Sequence, residues 1–539
     1  MRDIDRDTTP SLTVGSAEPA LIADVGDYAA RRLLDLSAAA FKWVADRQRY
    51  AATMLGILAA GCALRAHGLF LSNADWDEGV YIIMGQRWNL GGLPYVAVWD
   101  QHPPGMAALF ALVQRLVSDP VLGARLAALL AITATALLIH RFCVRYLNQA
   151  GAGLIGALLY IVCMSRWLGL AANTEVFNNA CVTLASYLLY GALRRSNAGL
   201  ARAVVAAVVL GVGLQIKYVV LPEAAILCLA YLAASYHAQR DLRATALAAG
   251  ALVLAGLLPT GMVVLYFWQN AALQPFLDAN VGSNISYLDV RPSLPVIAHR
   301  TATGIGPLVG AILITGLAIG RAARWRRIRV GGLSPQLWIL VWVVAALLDV
   351  SLPLKFFSHY YFALFPPLSL AGALALTALT RDRSRGFGRA GFAVGLVVLF
   401  ATAVPFWATG FARAVRVAQA DAPRAVADVL REAGGSDLNV FVYEYQPVIY
   451  ALALVRPPTP YVLSSELSTF TYSSHVDGAD EVRRTMDSAP DFVVMRVRPP
   501  DEAEPAALDD VVRERLDAYH LVGEMTDGVD KALVRIYRR

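Results

Sequence analysis

A run of carboxylates just past the first apolar stretch is where this chain could do chemistry. Asp75-Trp76-Asp77-Glu78-Gly79-Val80-Tyr81 is followed by Gly91-Gly92-Leu93-Pro94-Tyr95, then by Trp99-Asp100-Gln101-His102-Pro103-Pro104. Acids at a membrane surface are costly to desolvate, so they are solvated, paired or functional. A carboxylate held there can take the proton of a hydroxyl as that hydroxyl attacks a neighbouring centre. Asp77, Glu78 and Asp100 are therefore the catalytic candidates. In a helix over 75–88, Tyr81 shares a face with Asp77 and Glu78. The Gly-Gly-Leu-Pro segment forces a turn that can bring Asp100 and His102 back beside them. The competing reading is helix capping by Asp75 or Asp77, with the other acids solvated.

Cations complete the chemistry, because a departing phosphate needs its charge offset. Arg65, Arg166, Lys217 and Lys355 lie near span ends on the side where basic residues are scarce. A charge in a span costs about 2.5–3.5 kcal/mol on insertion scales, so each needs a partner. A lipid phosphate, or the internal acids Glu175 and Glu223, would supply one; snorkelling to the headgroups is the alternative. Lys355-Phe356-Phe357-Ser358-His359-Tyr360-Tyr361 adds an imidazole and two phenols at one span entrance. Lys217, Arg166, Lys355, His359 and Tyr360 are the phosphate-binding candidates. Tyr81, His102, Glu175 and Tyr361 are those for the rest of the substrate. Asn284-Ile285-Ser286 matches a glycosylation acceptor triplet, a pattern common by chance.

The elements that must position these residues are membrane spans. Of 539 residues, 57% are hydrophobic and 16% charged, with mean hydropathy +0.51. Soluble domains carry about 25% charge, and repeated apolar runs of about 20 residues mark a polytopic membrane protein. We read about eleven spans: 50–71, 121–141, 151–168, 174–193, 200–216, 219–236, 244–268, 300–320, 335–352, 360–380 and 390–410. Residues 103–117 form a short helix on the surface within a first outer loop, 72–120. This count puts every basic cluster, from Arg141 and Arg145 to Arg381–Arg389, on one side. The net charge of +6 is explained by that topology and not by nucleic acid. Residues 1–49 are expected to be a cytoplasmic tail, with Tyr28–Val44 either amphipathic or simply solvated. Residues 411–539 are expected to be a small outer α/β domain, with helices near 425–432, 479–488 and 505–518 and strands at 439–443, 492–497 and 532–537. The five cysteines fall in or beside apolar stretches with no metal spacing.

On these residues the chain resembles the polytopic GT-C glycosyltransferases that use lipid-linked sugars. Asp77-Glu78-Gly79-x-Tyr81, the Gly-x-Pro-Tyr turn and Asp100-x-x-Pro103-Pro104 carry the likeness, together with His359-Tyr360-Tyr361. It is similar to protein O-mannosyltransferases and to the bacterial aminoarabinose and galacturonosyl transferases that modify lipid A. The resemblance spans roughly residues 50–370. It implies an all-α multi-pass fold in the bacterial inner membrane and no covalently bound cofactor. It also implies inverting transfer at the periplasmic face, from a polyprenyl-phosphate sugar to a lipid, glycan or protein hydroxyl. The family's first-loop base maps to Asp77, with Glu78 adjacent, and its second loop acid to Asp100. Where the family often has Lys before Pro-Pro, this chain has His102. A divalent ion assists some members. A transporter or flippase of lipid-linked sugars is the second reading, weakened by the absence of an internal repeat.

Overall fold

The computed structural model describes residues 48–72, 74–194, 199–287, 290–324, 333–381, 389–468, 471–497, 506–529 and 531–539. The chain divides into two compact units, Met1–Gly56 and Ile57–Arg539. Of the first, residues 48–56 are described and are helical. The surface helix expected at Tyr28–Val44 lies outside the described residues. Everything below belongs to the second unit.

Each apolar stretch read from the sequence is helical. Among the described residues six helices are long and apolar enough to cross a membrane: Pro120–Leu147, Gly199–Ile216, Tyr218–Gln239, Leu242–Gln269, Leu294–Gly320 and Tyr360–Leu379. Ala150–Met164 and Pro335–Ser351 are apolar but shorter. Along Leu242–Gln269, Leu254 is 74% and Met262 63% exposed, alongside Leu247, Leu257 and Leu258. An apolar surface of that extent is a lipid contact, not a water-facing one. The last expected span is not one straight helix. Arg389–Phe400 ends, and Ala403–Ala418 restarts at an angle of 42°. Pro405 in the new first turn explains the break, since proline is tolerated there and not in a helix interior. Thr402 fixes it: its Oγ1 donates to the Pro307 carbonyl (3.1 Å) and accepts from Gly310 N–H (3.4 Å).

The first loop is built from two helices. Trp76–Asn89 starts at Asp75, whose carboxylate accepts from Asp77 N–H, an N-cap. After it the chain reverses at Gly91, whose φ of +89° favours glycine. The reversal is closed by Gly92 N–H to Arg87 O (2.8 Å) and Tyr95 N–H to Val98 O (2.8 Å). Gly105–Gln114 is the short helix expected at 103–117. A Cβ on Gly105 would lie 2.2 Å from the Gln215 carbonyl oxygen, so only glycine lets this helix start so close to the end of Gly199–Ile216. That approach brings the first loop to Lys217.

The C-terminal part holds a four-stranded sheet in the order β1-β2-β4-β3, with β1 Val440–Tyr443, β2 Phe492–Val497, β3 His520–Thr526 and β4 Leu533–Arg538. β1 and β2 are parallel, and the other pairs antiparallel. Phe441, Tyr443, Val493 and Met495 pack on Val482 and Met486 of helix Gly478–Asp487 and Val512 of helix Ala506–Arg515. This sheet unit packs on the first loop. Gly79 faces Val448 N and Pro447 Cγ so closely that a Cβ would stand 3.0–3.2 Å from them. Gln86 Nε2 donates to Ala451 O (3.0 Å), and Trp99 N–H to Pro460 O (2.9 Å). Arg424 pairs with Asp119 at 2.9 Å.

Candidate active site

Asp77 sits on the first turn of the Trp76–Asn89 helix, partly open to solvent. Burial and then the Asp75 carboxylate push its pKa up to about 7, against the opposing pull of His102 and Lys217. A carboxyl tuned near neutrality suits general-base work, because it is both available and basic. The reversal at Gly91 returns Asp100 to it, as the Gly-Gly-Leu-Pro segment required. Asp100 lies 3.1 Å from His102 Nδ1, and the Tyr81 hydroxyl 3.3 Å from the same nitrogen. Tyr95 OH donates to His102 O (3.0 Å) and fixes that backbone. Burial opposes charge on His102, but the Asp100 carboxylate overrides it and holds the pKa above its ordinary value. His102 can therefore carry positive charge where relatives of the resembled family often have lysine.

The cations behave in two ways. Lys217 Nζ is 2.6 Å from Glu175 Oε1 and 4.2 Å above the Tyr360 ring. His359 Nε2 lies 3.9 Å from the same Glu175 oxygen. Burial holds the His359 pKa below its ordinary value. Lys355 reaches the Val290 carbonyl and stands 4.1 Å over the Tyr287 ring. These groups meet at one place. Arg65 and Arg166, by contrast, are clamps on backbone. Arg65 donates to Met164 O (2.5 Å), Gly169 O (2.7 Å) and Leu170 O (3.2 Å). Arg166 donates to Thr303 O (2.5 Å) and Ser358 O (3.1 Å), against the Phe362 ring. Arg65 caps carbonyls freed where helices end. Arg166 anchors the segment that carries His359.

Two further placements, Glu78 and Tyr361, depart from the sequence reading. Glu78, expected in the catalytic group, is 2% exposed and turned away from it. Its Oε2 is 2.7 Å from Arg125 Nη2, and its Oε1 accepts from Ala172 N–H (2.9 Å). Tyr361 hydrogen-bonds Thr301 (2.6 Å) and packs against Gly304, so it braces helix Leu294–Ile305. Asn284 donates to Gln101 O (2.9 Å), tying the 283–287 turn to the first loop. The sequence reading missed Arg125 and Glu466. Arg125 was detectable as a charge inside an apolar span. Glu466 had no local signal.

Beneath Lys217 a narrow cavity is lined by Glu175, Asn178, Glu223, Asp349 and Tyr360. Glu223 accepts from Trp342 Nε1 (2.5 Å). Among the described residues no group of three or more His, Cys, Asp or Glu side chains is arranged to hold a metal ion.

The chain's fold is similar to that of ArnT from Cupriavidus metallidurans in its undecaprenyl-phosphate-bound crystal structure. The TM-score is 0.60 at 13% identity, over 90% of this chain and 97% of that one. The apo structure of the same protein gives 0.59 at 13% identity, over 92% and 98%. Residues 101–263 match the model of a family described as dolichyl-phosphate-mannose-protein mannosyltransferases. No curated protein sequence matches the chain. The protein has the ArnT-like GT-C fold with a small C-terminal sheet, as the resemblance in the first loop implied.

Proposed function

We propose that this protein is a membrane glycosyltransferase that moves a sugar from a polyprenyl-phosphate donor to an acceptor hydroxyl at the periplasmic face. One observation carries the reading: a partly open Asp77, tuned to about 7, shares a site with Asp100–His102 and with the Lys217–Glu175 pair. The acceptor hydroxyl attacks the anomeric carbon, and its proton passes to Asp77. The bond from that carbon to the phosphate oxygen breaks, and polyprenyl phosphate leaves with both electrons. One displacement inverts the configuration. Lys217, His102 and the Tyr360 hydroxyl offset the leaving charge, and Asp100 keeps His102 charged. Glu175 keeps Lys217 in place before the donor arrives. The undecaprenyl phosphate bound in the ArnT structure supports a lipid-phosphate ligand for this chain. Lipid, glycan and protein hydroxyls are all open as acceptors under this reading.

The test is purified protein incubated with labelled undecaprenyl-phosphate hexoses and pentoses and envelope lipid and glycan acceptors. A new glycosidic product of inverted configuration is expected. Because the base is a carboxyl with a pKa of about 7, kcat/KM rises with pH through neutrality and levels off above it. Movement of intact donor across a vesicle membrane, with no product, would instead favour a flippase.

A further inference from the structure

The sheet unit contributes a side chain to the site. Glu466 ends the short turn Ser464–Glu466. That turn is pinned at both ends: Glu466 N–H donates to Leu463 O (2.9 Å), and Ser474 Oγ donates to Glu466 O (2.8 Å). The turn is carried to the first loop by the Trp99–Pro460 hydrogen bond and by the Trp99 and Tyr461 rings, 5.7 Å apart. Ser286 and His475 add a contact at 3.3 Å. Glu466 is 4% exposed, and among the described residues its Oε2 has no hydrogen-bond partner. The charges that act on it are Asp100 and Asp77. An unpartnered carboxyl oxygen, buried and set against two other acids, is unfavourable for folding. Nothing in the sheet unit needs it there, since the turn is held by backbone and by Ser474. Burial, then Asp100 and Asp77, hold its pKa well above the ordinary value.

We infer that Glu466 is a positioning residue for the acceptor, with its free oxygen taking a hydrogen bond from a hydroxyl next to the one that attacks. The inference rests on the transferase reading above and deepens it by placing acceptor recognition between the first loop and the sheet unit. Asp77 and Asp100 on this side select a hydroxylated acceptor face without negative charge, because an anionic group there would meet like charges. Donor phosphate binding, by Lys217 and its neighbours, does not involve Glu466.

The experiment compares full-length wild type with Glu466→Gln and Glu466→Ala. Undecaprenyl phosphate is the donor-site probe, and octyl glucoside and its uronic-acid analogue are the acceptor probes, offered with the donor found active in the transfer assay. The expected result is unchanged undecaprenyl phosphate affinity and donor KM. The octyl glucoside KM rises about tenfold in Glu466→Ala, which removes the accepting oxygen, and less in Glu466→Gln, which keeps one. Discrimination against the uronic acid is retained, and the melting temperature of Glu466→Gln is equal to wild type or higher. A lower melting temperature with unchanged acceptor KM would make Glu466 structural and overturn the inference alone. Wild type that neither binds undecaprenyl phosphate nor transfers sugar would overturn the transferase reading and this inference with it.

Discussion

Asp77→Asn reduces sugar transfer by about 10²–10⁴-fold, the range a positioned general base contributes. The amide keeps the size of the side chain and its place on the first turn of the loop helix, so donor binding is retained. Product formation is the quantity that falls. The stability effect has a definite sign. A carboxyl whose pKa rises from 3.8 to about 7 on folding binds more protons in the folded state. Folding stability due to Asp77 therefore declines as pH rises from about 4 to about 7, and the asparagine variant escapes that decline. Melting curves should coincide near pH 4, and Asp77→Asn should be the more stable protein at pH 8. An inactive variant that is also less stable at pH 8 would point to a structural role for Asp77.

The second large effect concerns the helix that holds Asp77 in place. Arg125→Met removes the partner of Glu78 while leaving a carboxylate at 2% exposure. Breaking a buried pair from one side costs about 3–5 kcal/mol, because the remaining charge is uncompensated. The pair itself is worth less than that. Among the described residues Arg125 Nη1 and Nε have no hydrogen-bond partners, so its own desolvation is only partly offset. It follows that Arg125→Met combined with Glu78→Gln recovers most of the lost stability. The glutamine still accepts from Ala172 N–H, and no charge is stranded. Thermal unfolding of the two single variants and the double variant gives the coupling directly. Activity should track stability in this series, unlike in Asp77→Asn.

The first loop was legible because acids stand out in an apolar chain and because glycine and proline dictate its reversal. Asp77, Asp100 and His102 come together through Gly91, whose backbone needs φ of +89°, and that requirement is written in the residue type. The apolar stretches were equally plain, since span length and composition leave few alternatives. What escaped depends on contacts between distant segments. Glu78 looks like Asp77 in sequence, and only the arrival of Arg125 and Ala172 separates their roles. Arg65 and Arg166 advertise themselves as misplaced charges, but the carbonyls that hold them appear only when helix ends are packed. In the C-terminal part, helices Ala422–Ala433 and Gly478–Asp487 and strands β1, β2 and β4 follow the expected segments closely. β3 was missed because His520–Thr526 is mostly exposed and carries no buried alternation. The same lack of a local pattern hid Glu466.

The most direct check on the central claim is a structure of the full-length protein with undecaprenyl phosphate. A phosphate oxygen is expected within about 3 Å of Lys217 Nζ, at the end of the bundle that carries Asp77 and His102. A phosphate seated instead at the opposite end of the spans, near Arg145 and Arg202, would contradict it.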